Sequence, residues 1–174
     1  MSIKGPAKNN KTGKATINDL VMTPDDVAAW IVNHFMPSGK VLEPCRGNGS
    51  FTKLLPDADW FEILEGRDFL LAHGKWDWII TNPPYSIYDL FLIKSLQCAD
   101  NVVFLAPLQK AFKSQKIDKA ISNFGGLAEI VMLGSGSKAG FPFGFPVGCL
   151  YYKRDYSGPI KLTRAYSGVK GACE

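Results

Sequence analysis

The sequence predicts an α/β domain in which a mostly parallel sheet carries helices on both faces and ends in an antiparallel hairpin. Three observations carry that expectation. Short apolar runs alternate with stretches of helical spacing through most of the 174 residues, the mark of consecutive β-α-β units. Residues 102–106 are apolar at every position, as in a strand covered on both faces. Segments rich in Gly or Pro stand at the carboxyl ends of two expected strands, at 43–50 and 82–85, where sheets of this kind bind ligands.

The elements follow in order. Thr23-Pro24-Asp25-Asp26 opens a first helix: Thr23 is placed to cap, Pro24 suits the first helical position, and two acids complement the helix dipole. Val27, Ala28, Trp30, Ile31 and Phe35 form its apolar face, which ends before Pro37-Ser38-Gly39. Val41-Leu42 is a short buried strand. Residues 51–55 read as a short helix stopped by Pro56, and 60–63 as a second strand turning at Glu65-Gly66-Arg67. A third strand spans 77–81. A helix over 87–98 places Leu90, Phe91, Ile93, Lys94 and Leu96 at helical spacing. After the 102–106 strand come a polar helix over about 112–123, a strand over 128–133, a Gly/Ser-rich loop over 134–140 and a last strand over 147–153.

Composition narrows the function classes. A hydrophobic share of 46% with 21% charged residues suits one globular domain with a proper core. No apolar run approaches the roughly 20 residues of a membrane span, and no signal-peptide pattern opens the chain, so no membrane partner is expected. Cys45, Cys98, Cys149 and Cys173 are scattered, without a Cys-x-x-Cys or a nearby His. That speaks against a metal site or a disulfide framework and for a reducing cytoplasm. His34 and His73 are isolated. The net charge of +4 is unevenly placed, with Lys4, Lys8, Lys11 and Lys14 in a stretch that has no acid before Asp19. Residues 1–20 read as a basic, disordered tail, either simply solvated or serving as an arm for the phosphates of a polyanion.

Two segments carry chemistry. In Asn82-Pro83-Pro84-Tyr85 the prolines fix φ and remove two backbone donors, leaving a stiff platform with an amide, free carbonyls and a ring. Such a platform can grip a flat group bearing an exocyclic amine; a plain Pro-Pro turn after an edge strand is the alternative. In Glu43-Pro44-Cys45-Arg46-Gly47-Asn48-Gly49 the glycines permit a tight turn and close approach of a ligand. Glu43 is an acid where a pyrophosphate loop would not want one, which favours a neutral or cationic cofactor such as S-adenosylmethionine. Glu62, at the end of the second strand, can accept from both hydroxyls of a ribose. Asp68-Phe69 offers an acceptor and an apolar face to an adenine ring. Each acid taken alone reads more readily as a solvated surface residue; together, at successive strand ends, they gain weight.

Taken together, V-L-E-P-C-R-G-N-G-S-F at 41–51 and N-P-P-Y at 82–85 closely resemble the amino-methyltransferases that modify N6 of adenine in DNA, over roughly residues 21–155. The resemblance implies a Rossmann-like class I methyltransferase fold, S-adenosylmethionine as cofactor and DNA as partner, in the cytoplasm of a bacterial or phage-infected cell. It implies that Thr23-Pro24 touches the methionine part of the cofactor. Glu43, Pro44, Cys45, Gly47 and Gly49 would form the cofactor loop, with Glu62 at the ribose and Asp68-Phe69 at the adenine. Asn82, Pro83, Pro84 and Tyr85 would be the catalytic motif, Asn82 and Pro84 also bordering the cofactor. Tyr85 and one of Phe141, Phe143 and Phe145 would pack on the extruded base, and no metal is called for.

Departures from that family set further expectations. With a catalytic domain at 21–155 and a short extension at 156–174, no room remains for a separate target-recognition region. Either specificity is minimal, or it comes from loops, a second subunit or another protein; the 134–140 loop and the 107–116 segment with Gln109, Lys110, Lys113 and Lys116 are candidates for DNA contact. The same tetrapeptide occurs in methyltransferases of release-factor glutamines and of some RNA bases. A non-catalytic DNA-binding subunit of this fold is a further alternative.

Overall fold

In the computed structural model, which describes residues 20–112 and 114–165, the expected alternation of strands and helices is present. The strands are β1 (Val41–Glu43), β2 (Asp59–Trp60), β3 (Trp76–Thr81), β4 (Ala99–Pro107), β5 (Gly125–Ser135), β6 (Pro146–Arg154) and β7 (Lys161–Arg164). The helices are α1 (Asp25–Phe35), α2 (Tyr88–Cys98) and α3 (Gln115–Phe124). The strands form one sheet in the order β2-β1-β3-β4-β6-β5-β7. β6 runs antiparallel between β4 and β5, and the other pairings are parallel.

The period of two along β4 divides the core. Val102, Phe104 and Ala106 join α2 and α3 on one face, while Val103 and Leu105 join α1 on the other. β4 is central enough to need apolar side chains in both directions, which is why residues 102–106 show no polar alternation. On α1, Val27, Ala28, Ile31 and Phe35 recur at helical spacing and are buried against β1, β3 and β6. Truncating the fully buried Ile31 to Ala would remove about 2–5 kcal/mol. Across the sheet, the Tyr88 and Tyr152 hydroxyls bond to each other at 2.9 Å inside the core on the α2–α3 face, so neither is buried unpaired.

Several boundaries depart from expectation. α1 starts at Asp25 with Pro24 at the cap position, and no side chain caps it, so Thr23 does not act as a cap. Residues 51–54 form turns rather than a helix; between Gly49 and Pro56 too few residues remain to offset helix nucleation. β2 stops at Trp60, and Glu62 stands two residues beyond it, capping a 3₁₀ turn at Ile63–Glu65. α3 begins at Gln115 because the Ser114 hydroxyl accepts from the Ile117 amide, and a separate 3₁₀ turn occupies Leu108–Phe112. β7 adds an edge strand beyond residue 155, where no element was expected.

Candidate active site

The order of strands reverses between β1 and β3, so their carboxyl-terminal loops diverge and leave a crevice. A cavity of about 580 Å³ opens there, within the range of small-molecule sites. The loop after β1 supplies its floor, with Pro44, Cys45, Arg46, Gly47, Asn48, Ser50 and Phe51. The segment after β2 supplies one wall through Glu62, Ile63, Leu64, Arg67, Asp68, Phe69 and Leu70. Asn82, Pro84, Ile87 and Phe91 form the opposite wall, and Leu20, Val21, Met22 and Thr23 lie over the top.

The floor depends on backbone geometry. Gly47 and Gly49 have φ of 53° and 83°, the left-handed region in which glycine is unstrained. The Gly47 N–H donates to Glu62 Oε2 at 2.8 Å, and Glu62 Oε1 accepts from the Leu64 N–H at 3.1 Å. Glu62 thereby joins the loop after β1 to the turn after β2, and each oxygen retains a lone pair for a hydroxyl in the cavity. Asp68 works in the same way, accepting from the Leu70 N–H at 2.8 Å through Oδ1. Phe69 is buried and packs on Phe91 with ring centres 5.3 Å apart.

Glu43 sits beneath this floor and does not line the cavity. It is 1% exposed; Oε1 accepts from the Thr81 hydroxyl and from the Cys45 N–H at 3.1 Å, while Oε2 is buried with no partner. Burial pushes its pKa up to about 8, with the Glu62 charge adding to the rise and the two hydrogen bonds opposing it. At neutral pH the carboxyl is largely protonated. The acid expected to meet a cationic group is therefore a neutral hydrogen-bonded tie one layer below the ligand space.

Asn82 is the first residue after β3. Its Nδ2 donates to the Val21 carbonyl at 3.1 Å, which leaves Oδ1 a buried acceptor without a partner on a residue that lines the cavity. Pro83 and Pro84 are both buried, and of the two only Pro84 lines the cavity. Tyr85 is half-buried and does not line the cavity. Its hydroxyl is buried with no partner, burial raises its pKa, and its ring meets Phe143 edge-on at 6.2 Å.

The three phenylalanines form a tier. Phe141 and Phe143 stack at 5.3 Å, and Phe143 and Phe145 at 4.0 Å. Phe141 is 4% exposed and Phe145 38%. Phe143 has a ring on either face, so the outward stacking face belongs to Phe145.

The structure thus gathers Thr23, Pro44, Cys45, Gly47, Glu62, Asp68, Phe69, Asn82 and Pro84 around one cavity. Pro24, Glu43, Gly49, Pro83 and Tyr85 stand behind its walls, and Phe141, Phe143 and Phe145 lie beyond Tyr85. Sequence reasoning missed Leu20, Val21 and Met22, whose signal was an apolar triplet ending the polar tail. It also missed Ile87 and Phe91, four apart on the cavity side at the start of α2. Ser50 was missed as well: its hydroxyl lies 2.7 Å from the Thr23 carbonyl and 2.7 Å from Asp25 Oδ1, stitching the N-terminal segment to the floor.

Of the residues suggested for DNA contact, Gln109 and Lys116 are exposed, whereas Lys110 turns inward. Lys113 and the lysines of the tail lie outside the described residues. Among the described residues no group of His, Cys, Asp and Glu is arranged to hold a metal ion, and no helix is long and apolar enough to cross a membrane.

No protein-family model and no curated protein matches the sequence. Solved structures do. A protein of Listeria monocytogenes assigned to the class I S-adenosylmethionine-dependent methyltransferases superposes with a TM-score of 0.61 at 15% identity, over 86% of this chain and 67% of its own. The methyltransferase subunit of a type I restriction-modification system from Streptococcus thermophilus gives 0.62 at 16%, over 83% of this chain. The match spans 47% of that subunit, under half its length. Magnesium protoporphyrin IX methyltransferase from Synechocystis, solved with bound S-adenosylmethionine, gives 0.50 at 17%, over 75% and 77%. At such identities the likeness is one of architecture: the chain has the Rossmann-like fold of the class I methyltransferases.

Proposed function

We propose that this chain transfers a methyl group from S-adenosylmethionine to the exocyclic N6 amine of adenine in DNA. The observation that carries the reading is the Asn82 amide. Its donor end is committed to Val21, so its oxygen is a buried, unpartnered acceptor on a residue that lines a ligand-sized cavity.

The cavity residues fit that cofactor. Glu62 and Asp68 face the cavity with acceptors for hydroxyl and amino groups, Phe69, Ile63 and Leu64 give apolar surface for a ring, and Gly47 keeps the floor free of a Cβ. Thr23 and Ser50 border the end near α1, where an amino-acid moiety would lie. When bound, the cofactor supplies an electrophilic methyl group on a sulfonium.

The chain's own residues do the rest. Asn82 Oδ1 and the Pro83 carbonyl accept the two N–H groups of the amine and favour charge build-up on its nitrogen. The prolines hold those acceptors stiffly, so the rate comes from orientation and fixed dipoles rather than from a strong base. Tyr85 and Phe145 would border the base, which must leave a duplex at a cost of about a few kcal/mol. The likeness to a restriction-modification methyltransferase subunit supports DNA over a protein amide.

The test is incubation of the protein with labelled cofactor and mixed DNA, RNA and protein, followed by nucleoside mass spectrometry. N6-methyladenine from DNA is expected. Asn82→Ala should lower turnover by roughly 10²–10³-fold, as loss of a preorganised polar group does, while cofactor binding is retained. Label found only in RNA or in glutamine would replace the substrate, and full activity of Asn82→Ala would remove the mechanism.

A further inference from the structure

The loop from Asn82 to Tyr85 is held from outside itself. Its two prolines remove backbone donors, and Asn82 is held through its side chain at Val21. The backbone bond that closes the loop, from the Ile87 N–H to the Pro84 carbonyl, is 3.3 Å long. The Tyr85 carbonyl is instead gripped from another element. Lys110, in the 3₁₀ turn that follows β4, points its ammonium inward and donates to that oxygen at 2.7 Å. Its Nζ also lies 5.7 Å from the centre of the Tyr88 ring, a cation–π distance. A charged donor makes a bond roughly twice as strong as a neutral one, so this contact outweighs the long backbone bond beside it.

We propose that Lys110 is a positioning residue for the methyl acceptor. By fixing the Tyr85 carbonyl, it sets where the Pro83 carbonyl and the Tyr85 ring stand relative to Asn82 Oδ1. The role rests on the function proposed above and goes beyond it, because Lys110 does not line the cavity and reaches the acceptor loop through the Tyr85 carbonyl. A lysine serving DNA phosphates would hold its ammonium in solvent. This one holds it between a main-chain oxygen and a ring.

The test separates this role from the identity of the substrate. Amide hydrogen exchange over residues 85–88 is compared in the full chain for wild type, Lys110→Met and Lys110→Arg. Methionine keeps the aliphatic stem and removes the ammonium, and arginine keeps a charged donor. Lys110→Met should speed exchange over 85–88 by about tenfold or more, with β4 and α3 unchanged, and Lys110→Arg should stay near wild type. Unchanged exchange in Lys110→Met overturns the proposal whatever the substrate is. With DNA as substrate, Lys110→Met should lower kcat by roughly 10- to 100-fold, the scale of a displacement of about 1 Å, at a nearly constant cofactor Kd and DNA KM. A raised DNA KM at constant kcat would make Lys110 a DNA contact and overturn it too. If wild type methylates no DNA while Lys110→Met loosens the loop, the DNA reading falls and the positioning stands.

Discussion

The Thr81 hydroxyl donates a hydrogen bond to Glu43 Oε1, and this buried contact joins the carboxyl ends of β1 and β3 at the point where the strand order reverses. One residue further on each chain, the glycine-bearing floor and the amide wall of the cavity begin. The contact thus holds together the two loops that would carry donor and acceptor.

Thr81→Val removes the hydroxyl at nearly constant shape and leaves Glu43 Oε1 with the Cys45 N–H as its partner. A loss of about 1–3 kcal/mol is expected, the penalty for an under-satisfied buried polar group. Urea unfolding monitored by fluorescence measures it, and an unchanged midpoint would show that the contact contributes nothing.

Glu43 gives the fold a pH dependence with a definite sign. The folded chain keeps the proton up to about pH 8, whereas the unfolded chain releases it near 4.5. Across that window the unfolded state binds fewer protons, so stability falls as pH rises, by up to about 1.4 kcal/mol per pH unit from this group. Below 4.5 and above 8 its contribution is flat. Glu43→Gln should flatten the slope between pH 5 and 8 in parallel denaturant titrations, and identical slopes in both proteins would contradict the raised pKa.

Gly47→Ala places a Cβ at φ of 53° and within 3.1 Å of Met22 Sδ. A left-handed alanine costs roughly 1–2 kcal/mol, and the new methyl presses on the segment covering the cavity. Calorimetry should find cofactor affinity lowered by about tenfold, with the melting temperature only slightly reduced.

The phenylalanine tier separates packing from recognition. Phe141→Ala opens a core cavity and should cost about 3–5 kcal/mol. Phe145→Ala removes a ring that is already 38% exposed and should cost well under that, while weakening DNA binding. Base stacking on an aromatic ring contributes roughly 1–3 kcal/mol per base. Comparison of melting temperature with DNA affinity for the two variants distinguishes the roles.

Much of this was legible in the chain because it rests on local periodicity and on turn chemistry. Residues 102–106 announced a doubly covered strand, α1 showed its face at 27, 28, 31 and 35, and the glycines at 47 and 49 marked the floor. What stayed hidden depends on distant partners. β7 is an edge strand with exposed Lys161, Leu162 and Arg164, and it is held by backbone pairing to β5, which leaves no apolar signature. Glu43 read as a charge because its environment comes from Thr81, thirty-eight positions away, and from the packing over both. Tyr85 read as part of a platform, but its hydroxyl is buried and its ring lies edge-on to Phe143, some sixty residues on in the chain.

The bond from Asn82 to Val21 makes position 82 chemically asymmetric. A carboxylate of the same size would set two oxygens face to face at about the 3.1 Å now spanned by a donor and an acceptor, and would have to hold a proton or lose the covering segment. The amide escapes that choice because its two ends differ: one latches the segment that borders the chamber, and the other stays an acceptor whose hydrogen the protein itself does not supply.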